Sequence, residues 1–312
     1  MVRILGFLVG LGFVGVAAWS LLWGIVTVLD EGLPHTVEHE FHLDPRHASY
    51  TFEGPFGRYD HQQLQRGFQV YREVCAACHG LTQVAFRNLH DLGYTEAEVR
   101  AIADQWPVQV ASINEQTGEA STRKALPADR FPPPYPNETA ARAANNNALP
   151  PDLSLIVKAR HHGAAYVESL LTGYDNPATY RNEEGHALPA ANRPGQGLYF
   201  NPYFPNLNIA MPPPLTADGQ VTYAPGNPAP TRQQMAHDVA AFLAWASEPN
   251  LESRHAAGWM VLAFLTFATI LAWMAYKNVW ATAKRAVRIT GPLEPENIAK
   301  SNAAKDQEGV AG

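Results

Sequence analysis

Cysteine is nearly absent from this chain of 312 residues. There are two, Cys75 and Cys78, so no further pair can brace the fold. Charge is sparse as well. Asp, Glu, Lys and Arg make up 17% of the sequence and the formal net charge is −6, which excludes the basic excess that binds nucleic acid through its phosphates. Methionine occurs only five times. The sequence shows no internal repeat and no long low-complexity segment, which argues against a solenoid. Proline and glycine are plentiful instead, at 25 and 23 residues, and suit a loop-rich domain. The length accommodates one good-sized domain or two small ones with ample core.

Much of the apolar content lies in two uncharged runs. Ala256–Tyr276 is 21 residues long, the length needed to cross the hydrocarbon of a bilayer. Trp259, Trp273 and Tyr276 sit near its ends as interfacial aromatics do, and Lys277, Lys284, Arg285 and Arg288 mark the far end as cytoplasmic, or as the matrix side in an organelle. The alternative is a buried core helix, which seldom runs this long without a polar face. The other run, Ile4–Leu29, follows Arg3 and reads either as a signal peptide, cut after Ala18 or Ser20, or as a retained anchor. It is not Arg- or Ser-rich, so a mitochondrial transit peptide does not fit and a bacterial protein is expected. The organisation that follows is a signal or anchor over 1–29, an extracytoplasmic domain over 30–255, a transmembrane helix over 256–276 and a basic cytoplasmic tail over 277–312. In Asp30–His255 acids outnumber bases 25 to 16. That excess serves either plain solubility or electrostatic docking of a basic partner.

Cys75-Ala76-Ala77-Cys78-His79 is C-x-x-C-H, the pattern of covalent c-type haem attachment. Two thiols at this spacing can each form a thioether to a haem vinyl group, and the adjacent histidine is held at the iron as proximal ligand. Two other readings compete. A tetrahedral zinc site needs two more ligands, and His161 and His162 offer them. A redox dithiol is expected at a strand-to-helix junction. Here Leu64, Phe68, Tyr71 and Val74 upstream have the spacing of an amphipathic helix.

Several elements follow from local patterns. Gln62–Val74 reads as the helix that delivers the haem motif. Thr95–Ala103 is a helix with a capping box from Thr95 to Glu98. Trp106–Arg130 is a polar surface excursion, and Phe131–Pro136 is extended by its prolines. Glu138–Ala144, Asp152–Ala159 and Ala164–Thr172 read as helices, the last closed by Gly173. Thr231–Ala246 is a helix with a capping box from Thr231 to Gln234; Met235, Val239, Phe242 and Leu243 line one face, and its partner is Gln62–Val74. Gly32–Asp60 is irregular and carries His35, His39, His42 and His47, as scattered surface histidines or a metal site.

A sixth iron ligand emerges by elimination. Met1 is the initiator, Met260 and Met274 lie in the span, and Met235 sits on an apolar helix face. Met211 remains, followed by Pro212, Pro213 and Pro214, which fix the backbone behind a soft thioether. Its alternative is gap-filling in a core. Arg160 follows the apolar Leu155-Ile156-Val157 and is a candidate for a haem propionate, or an ordinary helix-end arginine.

Three blocks carry a resemblance to a known family. One is Arg66-Gly67-Phe68-Gln69-Val70-Tyr71 leading into the haem motif. Another runs from Tyr135-Pro136-Asn137 through Asn145-Asn146 and Leu149-Pro150-Pro151-Asp152-Leu153-Ser154 to Ala159-Arg160-His161. The last is Gly197-Leu198-Tyr199-Phe200-Asn201-Pro202-Tyr203-Phe204-Pro205 with the Met211 turn. Over these blocks, about 190 residues from Arg66 onward, the chain resembles the cytochrome c1 family, the haem subunits of the cytochrome bc1 complex. The resemblance implies a mainly α, cytochrome c-type domain with long loop insertions and one C-terminal transmembrane helix. It implies one covalent haem c on Cys75 and Cys78, with His79 and Met211 as axial ligands to the iron. It places Asn145, Pro150, Pro151, Arg160 and Tyr166 around the haem, with Arg160 at a propionate. Expected partners are cytochrome b, the Rieske iron–sulfur protein, a soluble or anchored cytochrome c and the membrane, in a dimeric complex. The haem domain is expected on the periplasmic side of a bacterial inner membrane, and the quinol chemistry belongs to the partner subunits. The additional cysteine pair of some relatives is missing, and Trp106–Arg130 departs from the family pattern. Two other functions remain in view: a free-standing membrane-anchored cytochrome c carrier, and a haem enzyme or gas sensor with an open iron site.

Overall fold

A computed structural model of the chain describes residues 2–31, 36–290 and 294–309; the expectation for His35 and for residues 291–293 and 310–312 of the basic tail lies outside them. The chain forms two units, Met1–Glu53 with Tyr59–Pro249, and Gly54–Arg58 with Asn250–Gly312. The first holds helices α1 (Val2–Glu31), α2 (Val37–Phe41), α3 (His61–Val70), α4 (Glu96–Asp104), α5 (Glu138–Ala144), α6 (Gly163–Thr172) and α7 (Arg232–Ser247). It also holds two antiparallel hairpins, β1 (Val110–Ile113) with β2 (Ala120–Arg123), and β3 (Tyr199–Phe200) with β4 (Asn208–Ile209). The fold is mainly helical.

Two crossing helices organise the core of this unit. Asp60 caps α3, its carboxylate accepting from the backbone N–H of Gln62 at 2.9 Å and of Gln63 at 3.3 Å. The apolar stripe of α3, with Leu64 and Phe68, packs on α7 as the sequence implies. Gly67 sits at the crossing: a Cβ there would lie 2.0 Å from the backbone oxygen of Asp238 and 2.7 Å from the Cβ of Phe242. No side chain larger than hydrogen fits, so glycine sets the separation of the helix axes. Around the crossing, Phe68, Tyr71, Phe86, Phe131, Phe242 and Trp245 are fully buried. Their rings meet edge-on or tilted, Phe86 and Phe131 with centroids 4.1 Å apart. Arg66 pins the rim with a paired contact to the fully buried Asp238, at 2.9 and 3.1 Å. Gln234 adds a 3.0 Å hydrogen bond to the same carboxylate, so the charge is buried with its partners.

Several local readings meet a different outcome. α7 is buried nearly all round rather than on one face, because α3 and α6 both pack against it. Only half of its capping box forms: Thr231 accepts from the N–H of Gln234, but the Gln234 amide turns to Asp238. The box at Thr95 and Glu98 is complete. Asp152–Ala159 is a run of turns, not a helix. The Asp152 carboxylate is taken by the N–H and hydroxyl of Thr82, at 2.9 and 2.8 Å, and by the N–H of Ser154 at 2.8 Å, which commits the backbone to an Asx turn. Trp106–Arg130 contains the β1–β2 hairpin, and Gly32–Asp60 contains α2.

α6 is fastened to α7 and to Tyr50 through one carboxylate. Glu168 accepts from the Tyr50 hydroxyl at 2.6 Å, from His237 Nδ1 at 2.8 Å and from the Gln233 amide. The Tyr50 ring stacks on His237, centroids 4.4 Å apart. The hydrogen bond to Glu168 raises the His237 pKa against the effect of burial. Burial opposes ionisation of Glu168, but the bonds from His237, Tyr50 and Gln233 win and lower its pKa. The histidine's contribution to stability is therefore full below 6.5 and lost as pH rises through its raised value. That of the glutamate is full above 4.5 and lost as pH falls through its lowered value. Glu168→Gln is expected to cost on the order of 2 kcal/mol, most between pH 4.5 and 6.5. Thermal melting of both proteins across pH checks this; a pH-independent difference would exclude the ion pair as the source.

In the second unit a single helix, α8 (Leu251–Thr290), carries the apolar run, and α9 (Pro295–Gly309) follows. The apolar stretches of Leu251–Ala281 and of Arg3–Asp30 within α1 are unburied, and both helices are long enough to cross a membrane.

Candidate functional site

α3 does not end as an ordinary helix. Its last turn, Tyr71–Cys75, widens into a π-helical turn in which the N–H of Ala76 reaches the carbonyl of Tyr71 at 2.8 Å. Cys75, Cys78 and His79 then lie on one tight turn, with the N–H groups of Cys78 and His79 both bonded to the Cys75 carbonyl, at 3.1 and 2.9 Å. The buried Tyr71 hydroxyl donates to the His79 carbonyl at 3.1 Å and ties this turn to the aromatic core.

The opposing strand of chain is Pro150–Ser154. His79 Nδ1 lies 2.8 Å from the carbonyl oxygen of Pro151. A carbonyl only accepts, so Nδ1 carries the proton and Nε2 keeps its lone pair for a ligand. Burial lowers the His79 pKa, with the Pro151 carbonyl and Asp152 pulling the other way, so the neutral ring is favoured. The Leu153 N–H to Gly80 carbonyl bond, at 2.9 Å, and the Asp152–Thr82 bonds lock the two strands in register. Pro151 presents its carbonyl from a backbone that cannot itself donate.

The methionine end is held separately. Asn201, fully buried, donates its amide to the Leu170 carbonyl at 2.8 Å, fixing the β3–β4 hairpin to the end of α6. β4 leads directly into Ala210-Met211, and the Tyr174 hydroxyl donates to the Met211 carbonyl at 3.0 Å. Met211 is half-buried, whereas Met235 is wholly core. Arg160 donates to the Ala159 carbonyl at 3.0 Å, and its charge acts on Tyr166 of α6 against the effect of burial. Asn145 turns its amide back to the Ala141 carbonyl at 2.7 Å and to the Tyr135 hydroxyl at 3.0 Å. Behind it, Gly197 at φ +77° passes so close to Asn146 that a Cβ would fall 2.7 Å from its amide nitrogen. The contacts thus join His79 to Pro151 and Tyr174 to Met211. Asn145 braces its own helix end, and Pro150 is half-buried beside Pro151.

These features bear on the competing readings of the cysteines. Burial, with Cys78 adding, pushes the Cys75 thiol up to about 12, the reverse of the depressed pKa that a reactive dithiol needs. Among the described residues, no group of metal-ligating atoms includes Cys75, Cys78, His161 or His162. His39, His42 and His47 form no such group either; the one cluster among the described residues is an exposed trio, Glu40, Glu184 and His186. A haem fits the residues present. A tautomer-fixed imidazole stands beside two free thiols, and the same segments leave Leu149, Leu155, Leu198 and Tyr199 exposed, as an apolar macrocycle requires. Tyr174 and Asp152 were not singled out by the sequence, since both act through partners distant along the chain.

Comparison with known proteins gives a consistent picture. The profile of the Cytochrome C1 family matches residues 50–283. The cytochrome c1 of Rhodospirillum rubrum is 43% identical over 242 residues, which cover 75% of this chain and 87% of that protein. The mitochondrial cytochrome c1 heme protein of Saccharomyces cerevisiae is 44% identical over 259 residues, covering 83% of this chain and 78% of the relative. The cytochrome b/c1 of Bradyrhizobium diazoefficiens is 42% identical over 258 residues, 76% of this chain but only 36% of that longer protein.

Proposed function

The chain belongs to the cytochrome c1 family, and on that footing we propose that it is the haem-bearing electron-transfer subunit of a quinol–cytochrome c reductase. Cys75 and Cys78 would hold the haem c by thioethers, and His79 and Met211 would supply the ligands to its iron. A haem so bound supplies a one-electron iron couple. The single observation that carries this reading is the 2.8 Å contact between His79 Nδ1 and the Pro151 carbonyl, which orients the ring and raises the donor strength of Nε2.

The remaining roles follow from what each residue offers. Tyr174 clamps the Met211 carbonyl, so the thioether is presented from a fixed backbone. Arg160, exposed and held to the Ala159 carbonyl, provides a cation for a propionate. Pro150 and Pro151 form a wall that holds no amide hydrogen, and the leucines beside them keep water from the iron. Asn145 holds the end of α5 at the edge of that wall. The acidic excess of Asp30–His255 suits a basic soluble or anchored cytochrome c as acceptor. Cytochrome b and a Rieske iron–sulfur protein are the membrane partners, in a dimeric complex, and they carry the quinol chemistry. Leu251–Ala281 anchors the chain in a bacterial inner membrane with the haem unit on the periplasmic side.

Extraction in mild detergent tests the assignment. The chain is expected to copurify with a cytochrome b and an iron–sulfur protein, and its reduced spectrum to show a c-type band unaltered by carbon monoxide. Recovery of the chain alone would point to a free carrier, and carbon monoxide binding to an open iron site.

A further inference from the structure

The turn Gly54–Arg58 belongs structurally to the anchor helix and not to the residues that flank it in sequence. Glycine at position 54 takes φ +77°, Pro55 follows, and the N–H of Gly57 returns to the Gly54 carbonyl at 3.2 Å. This is a tight turn with proline at a position that suits its fixed φ, and Phe56 stands at its tip. The Phe56 ring stacks on Trp259 of α8, centroids 4.9 Å apart and planes within 7°. The indole N–H of Trp259 donates to the Pro55 carbonyl at 3.3 Å. The rings are stacked, yet Phe56 remains 75% and Trp259 45% exposed.

We propose that Phe56 and Trp259 together form an interfacial membrane anchor, with the Gly54–Arg58 turn lying in the headgroup–acyl boundary of the bilayer. The proposal rests on the reading of Leu251–Ala281 as a membrane span. Its 31 residues extend about 46 Å as a helix, against a hydrocarbon core of about 30 Å. Roughly 8 Å at each end therefore lies in the headgroup region. Trp259 is eight residues from Leu251, about 12 Å along the axis, which puts it close to the hydrocarbon boundary when the span is centred. Indole prefers that depth. Whatever stacks flat on Trp259 shares its depth, so an exposed phenyl ring there meets lipid, where its apolar surface is no liability. Arg58, exposed beside the turn, suits the phosphate layer. The surface is continuous with the span, which favours lipid over a protein partner. Glu53 and Tyr59 continue the chain on both sides of the turn, so the turn adds a membrane contact remote in sequence from the span.

Site-directed spin labelling of the full-length haem-loaded chain tests this, since Cys75 and Cys78 are the only native cysteines and are taken by the haem. Nitroxides on Phe56→Cys, Ala268→Cys and Glu115→Cys are compared in nanodiscs of phosphatidylethanolamine and phosphatidylglycerol. An unchanged haem spectrum reports that each variant folds. The expected result is that the Phe56→Cys label collides with oxygen severalfold more than with an aqueous nickel chelate, approaching Ala268→Cys in midspan, while Glu115→Cys shows the reverse. An aqueous signature at Phe56→Cys with a lipid signature at Ala268→Cys overturns the proposal and leaves the span intact. An aqueous signature at both overturns the span reading and the proposal with it. An aqueous signature that vanishes only when the partner subunits are added assigns the patch to protein, and also overturns it.

Discussion

Replacing Met211 with leucine is expected to leave the haem covalently attached and to lower its midpoint potential by on the order of 0.2 V, a fraction of the ~0.8 V over which axial ligands tune haem. The direction follows from ligand chemistry. A thioether favours the reduced iron, and leucine offers no donor in its place. The fold is expected to tolerate the change, because a Leu for Met exchange nearly conserves volume and costs less than about 1.5 kcal/mol. The backbone of the turn is held independently by Tyr174 and by Pro212, Pro213 and Pro214. An optical redox titration of the membrane-bound protein is the direct measurement, and carbon monoxide should now bind the reduced form. An unchanged potential would remove Met211 from the ligand set and reopen the sixth position to another residue.

The other large effect is expected at Gly67. Gly67→Ala places a methyl group 2.0 Å from the Asp238 carbonyl oxygen, a backbone atom inside the rigid α7. No rotamer change relieves that contact, so α3 and α7 must separate. Separation opens the buried Phe68, Tyr71 and Phe242 cluster and pulls Arg66 from Asp238. A cost of about 3 kcal/mol or more is expected, at the upper end for overpacking and increased by the weakened buried ion pair. The gain in intrinsic helix propensity from glycine to alanine, about 1 kcal/mol, does not offset it. Thermal unfolding followed by near-ultraviolet dichroism gives the value, and haem-stained protein in membranes should fall in parallel. A variant as stable as the parent would mean that the helices cross elsewhere.

What could be read from the sequence was whatever is encoded locally. The box at Thr95 and Glu98 uses residues within one turn, and it forms as written. The haem motif is five consecutive residues, and the apolar runs declare themselves by length. Met235 and Met211 are separated by their neighbours: one lies on an amphipathic helix, the other before three prolines. Asp152–Ala159 follows Pro150-Pro151 as a helix would, but the Asp152 carboxylate is bonded to Thr82, 70 residues away, and the segment forms turns. The short hairpins have no strong alternation, and the Asn201 amide that fastens one of them finds its acceptor 31 residues upstream. Likewise, nothing near Glu168 announces that Tyr50 and His237 converge on it. The π turn at Tyr71–Cys75 is a property of how the helix meets its haem-binding turn, and no single residue type specifies it.

The place of α7 in the chain has a consequence for biogenesis. It is the last element of the haem unit, and only Glu248, Pro249 and Asn250 separate it from α8. Its partner α3 left the ribosome about 170 residues earlier; the Arg66–Asp238 pair closes a gap of 172 residues. On the topology proposed above, with the chain exported amino terminus first, α3 and its haem motif would wait on the far side of the membrane without the surface they pack against. That surface would arrive only as the apolar run of α8 halts translocation. Assembly of the core and arrest in the bilayer are therefore nearly simultaneous, and a nascent chain cut short within α7 would be delivered across the membrane with its cysteines in place and no core to close over them.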